Sequence, residues 1–177
     1  LAEMMNGSIT VTTQVGHGSC FRFDMLLERS EKEHKEERAE QRTVTGLAEG
    51  SDHYRILVVD DQPNNRELLC ALLKPLGFEI REATNGKEAL EIFEEWSPDA
   101  VLMDMRMPVM DGYEATRRIK ASEKGHVTPV IAVTASAFKD SEDLVRATGV
   151  SAYLRKPFRP EELWDALGEC LGLHYQY

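Results

Sequence analysis

The chain of 177 residues is poor in cysteine, with only Cys20, Cys70 and Cys170, and none of them forms a CxxC pair. An odd number of widely spaced cysteines builds neither a disulfide framework nor, by itself, a zinc site, so both classes are excluded. Cys70 and Cys170 lie in apolar patterns, which predicts that both are small core residues. This cysteine usage favours a reducing, cytoplasmic setting.

Long apolar runs and an excess of basic residues are absent as well. No apolar run approaches the about 18–20 residues of a membrane span, and no signal peptide is evident, so we expect no membrane contact from this chain. Lys and Arg number 21 against 31 Asp and Glu, a net charge of −10. This balance argues against nucleic-acid binding through a general basic surface. Because the chain begins at Leu1 rather than Met, we expect it to be part of a longer protein.

What is present is enough apolar material for a packed core, since hydrophobic residues make up 42% of the chain. The densest charge lies in residues 28–42, where six acidic and five basic residues occur without an apolar stripe. Residues 43–53 are rich in small and turn-forming residue types. Residues 28–53 are therefore predicted to form a charged, flexible linker, with a docking arm as the alternative.

Residues 1–27 contain the pattern of a β-hairpin. Polar and apolar residues alternate over 8–12, a turn is predicted over 15–19, and Phe21, Phe23 and Met25 alternate with polar residues on a returning strand. A lone hairpin is marginally stable in water and needs something to pack on. We therefore expect residues 1–27 to be the tail of another domain. Packing on the rest of the chain and pairing between two chains, as a dimer, are both left open.

After residue 53 the pattern changes to alternating strands and helices. Strands are predicted over residues 55–59, 78–82, 100–103, 130–133 and 152–154, and helices over residues 63–73, 85–96, 113–121, 141–148 and 160–171. Five strands alternating with five helices predict an α/β domain over residues 54–174. Its sheet should be parallel, with right-handed crossovers.

Polar side chains stand where these predicted strands end. Asp60 and Asp61 follow the first strand, Asp104 the third, Thr134 the fourth and Lys156 the fifth. Ligands of an open parallel sheet lie beyond the carboxyl ends of its strands, so these side chains should meet. Helix and turn capping would account for each aspartate separately. It does not account for three carboxylates at one edge, which repel one another unless a cation is present.

The residue types at this edge suit phosphoryl transfer. Carboxylate oxygens are ligands that Mg²⁺ prefers, and Mg²⁺ in turn partners phosphoryl oxygens. Lys156 supplies a cation and Thr134 a hydroxyl donor for the same oxygens. Asp104 is the candidate nucleophile, because a carboxylate can form an aspartyl-phosphate intermediate.

These motifs carry a family resemblance that covers about residues 55–173. It rests on Asp60-Asp61, Asp104 with Met107-Pro108-Val109-Met110-Asp111-Gly112, Thr134-Ala135 and Lys156-Pro157-Phe158. In this order they resemble the receiver domain of two-component response regulators. The resemblance implies a flavodoxin-like (βα)5 fold, with a five-stranded parallel sheet in the order 2-1-3-4-5 and helices on both faces.

The resemblance also implies a ligand set for Mg²⁺, or Mn²⁺ in its place. Asp61 and Asp104 would bind the metal directly, Asp60 largely through water, and Arg106 through its main-chain carbonyl. Asp104 would be the phosphoacceptor, with self-catalysed phosphorylation and dephosphorylation.

A switch pair follows from the same resemblance. On phosphorylation the Thr134 hydroxyl would move towards the phosphoryl group, which Lys156 also contacts. The ring of Tyr153 would then turn into the space vacated. An ordinary half-buried strand aromatic is the alternative reading of Tyr153.

The hairpin resembles the end of the ATP-binding domain of sensor histidine kinases, through a GxGS turn at residues 16–19. A phosphoacceptor-histidine helix, an asparagine-bearing ATP segment and a DxGxG motif are missing from the sequence, so we expect neither useful ATP binding nor autophosphorylation. Kinase tail, linker and receiver in this order resemble a hybrid histidine kinase. The implied partners are a kinase histidine as phosphodonor and a histidine phosphotransfer protein, which in related relays docks largely on the helix at 63–73.

Three alternatives remain at this point. One is a stand-alone response regulator receiver that acts by protein–protein interaction. Another is an aspartyl-nucleophile phosphatase, although Arg106 stands where the DxD pattern of those enzymes places a second acid. The third is an interaction domain that no longer takes phosphate.

Overall fold

The computed structural model describes residues 7–24, 26, 44, 46–47, 54–135 and 147–176. These residues belong to two compact units, Leu1–Gln41 and Arg42–Tyr177. Most of the linker predicted over residues 28–53 lies outside the described residues, as do residues 141–146 of the helix predicted over 141–148. Thr148, the last residue of that predicted helix, lies in a turn.

The first unit contains the predicted hairpin, formed by β1 (Ser8–Gln14) and β2 (Gly18–Asp24) in antiparallel pairing. Its turn covers only residues 15–17, whereas the sequence pattern predicts a turn over 15–19. The prediction is too long because Gly18 and Ser19 pair with Gln14 and Thr13 and extend the ladder. The apolar side chains of the two strands, Ile9, Val11, Phe21 and Phe23, are exposed.

The second unit alternates strands and helices as predicted. Its strands are β3 (Gly46–Leu47), β4 (Arg55–Val59), β5 (Glu79–Ala83), β6 (Ala100–Asp104), β7 (Val130–Thr134), β8 (Ala152–Arg155) and β9 (Tyr175–Gln176). Its described helices are α1 (Pro63–Leu73), α2 (Gly86–Trp96), α3 (Gly112–Ala121) and α4 (Pro160–Leu171). In the part of the chain covered by the structure, no helix is long and apolar enough to cross a membrane.

Five of these strands form one parallel sheet in the order β5-β4-β6-β7-β8. Counted within the domain, this is the order 2-1-3-4-5, and the predicted flavodoxin-like fold is confirmed. Strand β4 pairs with both β5 and β6, so the direction of the winding reverses between β4 and β6. Ligand sites of such sheets lie at this reversal, outside the carboxyl ends of the strands.

Side-chain alternation divides the core into two layers, one on each face of the sheet. Ile56 and Val58 of β4 pack with residues of α1 and α4, whereas Leu57 and Val59 pack with residues of α2 and α3. Successive residues of a strand point to opposite faces, so a continuous apolar run is what a doubly covered strand needs. Cys70 is buried as predicted, whereas Cys170 is only half-buried and packs against the first layer.

A short strand pair lies beyond the predicted domain boundaries of 54 and 174. Gly46–Leu47 of β3 pairs antiparallel with Tyr175–Gln176 of β9. The Tyr175 hydroxyl donates to the Trp164 carbonyl at 2.7 Å, which ties β9 to α4. This pair adds residues 46–47 and 175–176 to the second unit, outside the predicted range of 54–174.

Candidate functional site

Asp60, Asp61 and Asp104 meet at the carboxyl edge of the sheet. Asp60 directly follows β4 and Asp104 ends β6, and the two strands are parallel neighbours with Val59 paired to Met103. One oxygen from each of the three carboxylates lies within 4.8 Å of the others. Asp60 is buried, whereas Asp61 and Asp104 are half-buried. The structure thus brings together the three carboxylates that the strand ends predict.

Lys156 joins two of these carboxylates. Its Nζ donates to Asp60 Oδ2 at 2.7 Å and to Asp104 Oδ2 at 2.7 Å. Its backbone N–H donates to the Thr134 carbonyl at 2.8 Å, which places the residue just beyond the carboxyl ends of β7 and β8. The predicted partner of Lys156 is a phosphoryl oxygen. In this structure the same ammonium group is paired with the carboxylates of Asp60 and Asp104.

Two residues at this site were missed by the sequence reasoning. Asn65 Nδ2 lies 3.0 Å from both Asp60 oxygens. Arg66 donates from Nη1 to the Asp60 carbonyl at 2.8 Å and from Nε to Glu82 Oε2 at 3.1 Å. Both lie in the first turn of α1, five and six residues after the buried aspartate. That spacing is the sequence signal that could have pointed to them, since a first helical turn faces the strand end that precedes it.

Burial and hydrogen bonds act in opposite directions on these groups. Burial by itself would raise the pKa of Asp60, but hydrogen bonds from Lys156, a backbone N–H and Asn65 outweigh it and hold this pKa below its ordinary value. Burial raises the pKa of Asp104, because its hydrogen bonds from a backbone N–H and Lys156 do not compensate. Burial would lower the pKa of Lys156, but its bonds to Asp104 and Asp60 raise it above the ordinary value.

The loop between β6 and α3 holds Asp104 from the other side. The Arg106 N–H donates to Asp104 Oδ1 at 2.8 Å. The side chain of Arg106 is exposed. Val109 adopts a φ of 71°, in the left-handed region that β-branched residues rarely occupy, and its side chain is 83% exposed. Strained backbone of this kind occurs frequently beside functional sites. The predicted metal-ligand role of the Arg106 carbonyl stays a prediction.

Thr134 and Tyr153, the predicted switch pair, lie on the adjacent strands β7 and β8. Thr134 ends β7 and is buried. Tyr153 pairs in register with Ala132 and is 37% exposed. Both strands lie on the β8 side of β6, the strand that ends at Asp104. Tyr153 is therefore one strand away from Thr134 and level with the residue two positions before it. Their role as a switch stays a prediction.

A groove of about 380 Å³ opens beside the carboxylates. It is lined by Asn65, Leu68, Leu69, Lys156, Pro157 and Phe158. Leu68 is 54% exposed there, whereas Leu69 next to it is buried. Two of the donors that contact Asp60 thus also line an open, partly apolar surface.

The donor set fits a hard divalent cation. Two oxygens on opposite sides of an octahedral Mg²⁺ lie about 4.2 Å apart, since Mg–O distances are about 2.0–2.1 Å. The three carboxylates offer oxygens within 4.8 Å of one another, so a small adjustment would let them share one ion. No sulfur or imidazole ligand is among these donors, which favours Mg²⁺ or Mn²⁺ over zinc.

Comparison with known proteins gives matches over the same part of the chain. The family described as "Response regulator receiver domain" matches residues 56–168. Hybrid signal transduction histidine kinase I of Dictyostelium discoideum is 39% identical over 121 residues, which are 64% of this chain and 7% of that protein. The polar-differentiation response regulator DivK of Brucella anthropi is 35% identical over 117 residues, which are 66% of this chain and 95% of that protein.

A solved structure agrees with these sequence matches. The receiver domain of a sensor histidine kinase from Pseudomonas aeruginosa PAO1 superposes with a TM-score of 0.65 at 39% identity, and covers 68% of this chain and 99% of that one. That structure has a magnesium ion coordinated in its active-site cleft. Fold, carboxylate cluster and sequence matches coincide over one stretch of more than half the chain. The chain belongs to the response regulator receiver domain family of two-component signalling systems.

Proposed function

We propose that this receiver accepts a phosphoryl group from a kinase histidine onto Asp104, with Mg²⁺ or Mn²⁺, and passes it to a histidine phosphotransfer protein. The observation that carries the proposal is the position of Asp104. Its side chain is 13% exposed beside Lys156, whereas that of Asp60 is 1% exposed. A nucleophile must be reached by its phosphodonor. Asp104 is therefore suited to attack, and Asp60 is suited to hold a cation.

The transfer step forms one bond and breaks one bond. An Asp104 oxygen bonds to phosphorus while the bond from phosphorus to the donor's imidazole nitrogen breaks, and the electron pair of that bond stays on the nitrogen. Asp61 and Asp104 would hold Mg²⁺ directly, Asp60 through water and Arg106 through its carbonyl. The ion would neutralise the phosphoryl oxygens, where the transition-state charge collects.

Lys156 and Thr134 are the donors proposed to respond to the new charge. A phosphoryl group adds roughly −1.5 to −2 charge and three acceptor oxygens. Lys156 Nζ lies 2.7 Å from Asp104 Oδ2, and Thr134 ends the strand next to β6. The Thr134 hydroxyl moves towards the phosphoryl group, and the Tyr153 ring turns from its 37% exposed position into the space vacated.

The direct test is labelling by a small phosphodonor. Incubation with acetyl phosphate and Mg²⁺ should give one hydroxylamine-sensitive acyl phosphate per chain, measured by intact mass. A chelator added before the phosphodonor should prevent this labelling. Peptide mapping should locate the group on Asp104. Full labelling of an Asp104→Asn variant would refute this assignment.

The proposed parent is a hybrid histidine kinase in a cytoplasmic setting. Residues 1–27 would be the end of its ATP-binding domain, residues 28–53 a linker and residues 54–174 the receiver. The β1–β2 hairpin and the match to a hybrid kinase support this order. The chain spans only 7% of that kinase. A stand-alone receiver is the second candidate, favoured by the match over 95% of DivK.

The groove beside Asp60 is the proposed docking site for the phosphotransfer protein. It places apolar surface, including the exposed Leu68, next to Lys156 and within reach of the phosphoacceptor pocket. A helical partner that carries its histidine to Asp104 would bury this surface. Apolar anchors of this kind carry much of the binding energy of an interface.

Replacing Leu68 with glutamine should lower the rate of transfer to a phosphotransfer protein by about tenfold at subsaturating partner, the equivalent of about 1.4 kcal/mol of binding. Labelling by acetyl phosphate should be unchanged, because the apolar side chain of Leu68 has no role in the proposed metal or phosphoryl contacts. The matched control is Ala71→Gln, a polar substitution at an exposed position of the same helix. An equal loss in both variants, or a loss of acetyl phosphate labelling, would contradict docking in the groove.

A further inference from the structure

The carboxylate of Asp60 has its acceptor positions filled by the protein. Oδ1 accepts from the Gln62 N–H at 2.9 Å and from Asn65 at 3.0 Å. Oδ2 accepts from Asn65 at 3.0 Å and from Lys156 at 2.7 Å. An ionised carboxylate offers about four lone-pair positions, so these four contacts account for all of them. Asp60 can therefore contribute to a cation site only when one of these donors gives up its position, and Lys156 is the one that also has another carboxylate to contact.

The donors differ in how firmly they are held. Lys156 reaches Asp60 at the end of a long, flexible side chain and also contacts Asp104. In the proposed function Lys156 turns to a phosphoryl oxygen, which would take it away from Asp60 Oδ2. Asn65 has a short side chain on the first turn of α1, and its amide spans both oxygens of the carboxylate. The contacts of Asn65 with Asp60 do not involve Lys156.

Helix capping does not explain the position of Asn65. The N-terminal cap residue of α1 is Gln62, and no side chain makes the capping hydrogen bond there. The Asn65 amide is directed instead to a side chain that is 1% exposed, in a pocket shared with two other carboxylates. A buried carboxylate oriented by a fixed amide is the arrangement that second-layer partners of metal ligands use.

We infer that Asn65 is a positioning residue, which fixes the Asp60 carboxylate in the orientation that supports divalent cation binding next to Asp104. The inference rests on the proposed metal-dependent function of this site. It assigns to Asn65 no contact with the phosphoryl group or with the donor. Its effect should therefore be seen in cation affinity measured without any phosphodonor.

The experiment compares four variants of the full chain, each titrated with Mg²⁺ alone and followed by calorimetry and by NMR shifts of the carboxylate site. Asn65→Ala and Asn65→Leu should both weaken Mg²⁺ binding by about tenfold, the lower end of the range for lost second-layer partners. Leucine keeps the branched shape of asparagine and removes its donors. Asn64→Ala, at the exposed neighbouring position, should bind Mg²⁺ like the unaltered chain.

The outcomes separate this inference from the proposed function. Normal affinity in Asn65→Leu would show that Asn65 only fills space, and tighter binding in either Asn65 variant would show that its amide competes with the cation. Either result overturns the inference. An Asp61→Asn variant serves as the check on the site itself. If Asp61→Asn also binds Mg²⁺ normally, the proposed metal site itself is refuted. If only Asp61→Asn loses Mg²⁺ affinity and the Asn65 variants keep it, the role of Asn65 alone is refuted.

Discussion

Replacing Lys156 with methionine should lower the free energy of unfolding of the metal-free protein by about 3 kcal/mol. Its ammonium group lies 2.7 Å from oxygens of both Asp60 and Asp104, whose side chains are 1% and 13% exposed. Removing one partner of a buried ion pair leaves the other charge without compensation, which costs more than the pair itself contributes. Methionine keeps most of the side-chain volume, so the loss reports charge rather than a cavity. Urea unfolding in the presence of a chelator measures it.

Added Mg²⁺ should restore most of this loss, because the ion supplies the positive charge that Lys156 no longer provides. A ligand that binds only the folded state at a hundred times its Kd adds about 2.7 kcal/mol. The control is Lys120→Met. Lys120 donates to the Thr128 carbonyl at 2.7 Å, and burial lowers its pKa. We expect a smaller loss there and no added response to Mg²⁺. Equal losses in the two variants, or no rescue of Lys156→Met, would contradict the electrostatic account.

The difference in free energy of unfolding between wild type and Lys156→Met should depend on pH in a defined direction. The pKa of Lys156 is raised by its carboxylate partners, so its stabilisation is complete below the ordinary value of 10.5 and is lost as the pH rises through the raised value. The pKa of Asp60 is lowered, so its contribution is present above the ordinary value of 3.8 and is lost as the pH falls through the lowered one. The difference in free energy of unfolding between wild type and Lys156→Met should therefore be largest at pH values between these two limits. A gap unchanged at strongly alkaline pH would rule out the ion pair as its source.

The central strands and the carboxylate cluster could be predicted because each depends on a strong local pattern plus one general rule. Residues 55–59 form a strand with the predicted bounds, since a continuous β-branched run fits a strand covered on both faces. Asp60, Asp104 and Lys156 meet because parallel strands end at one edge. No contact needs to be known in advance for that rule to apply.

The features of the fold and of the site that the sequence does not predict depend on the direction of a side chain or on very short segments. In the sequence, Asn65 is indistinguishable from an ordinary polar residue of a helix. Its amide is directed to Asp60 only because α1 packs against β4. Strands β3 and β9 have two residues each, too few to show the alternation that identifies a strand. The sequence predicts a phosphoryl oxygen as the partner of Lys156, but its spacing does not reveal that Lys156 also bridges two carboxylates.

Substitution of Gly112 should displace Asp104 without removing any functional group from the site. A Cβ added at Gly112 would clash with the Asp104 carbonyl oxygen and would lie 2.8 Å from Met105 Cα. Both are backbone atoms of the strand end and loop that carry the phosphoacceptor, so no flexible side chain can give way. The Gly112 N–H also donates to the Met105 carbonyl at 3.3 Å, which holds the start of α3 against the loop. Gly112 is required for this close approach.

Gly112→Ala should therefore lower the free energy of unfolding by about 3 kcal/mol, at the upper end of the usual cost of overpacking. Acetyl phosphate labelling of the folded fraction should slow by about a hundredfold, because a displacement of about 1 Å at a reacting group can cost that much. The control is Gly46→Ala, where the added Cβ meets no described atom within 4 Å. Urea unfolding and labelling rates of both variants at saturating Mg²⁺ give the two readouts. Normal labelling in Gly112→Ala would mean that the loop relaxes without moving Asp104, and that the glycine serves stability alone.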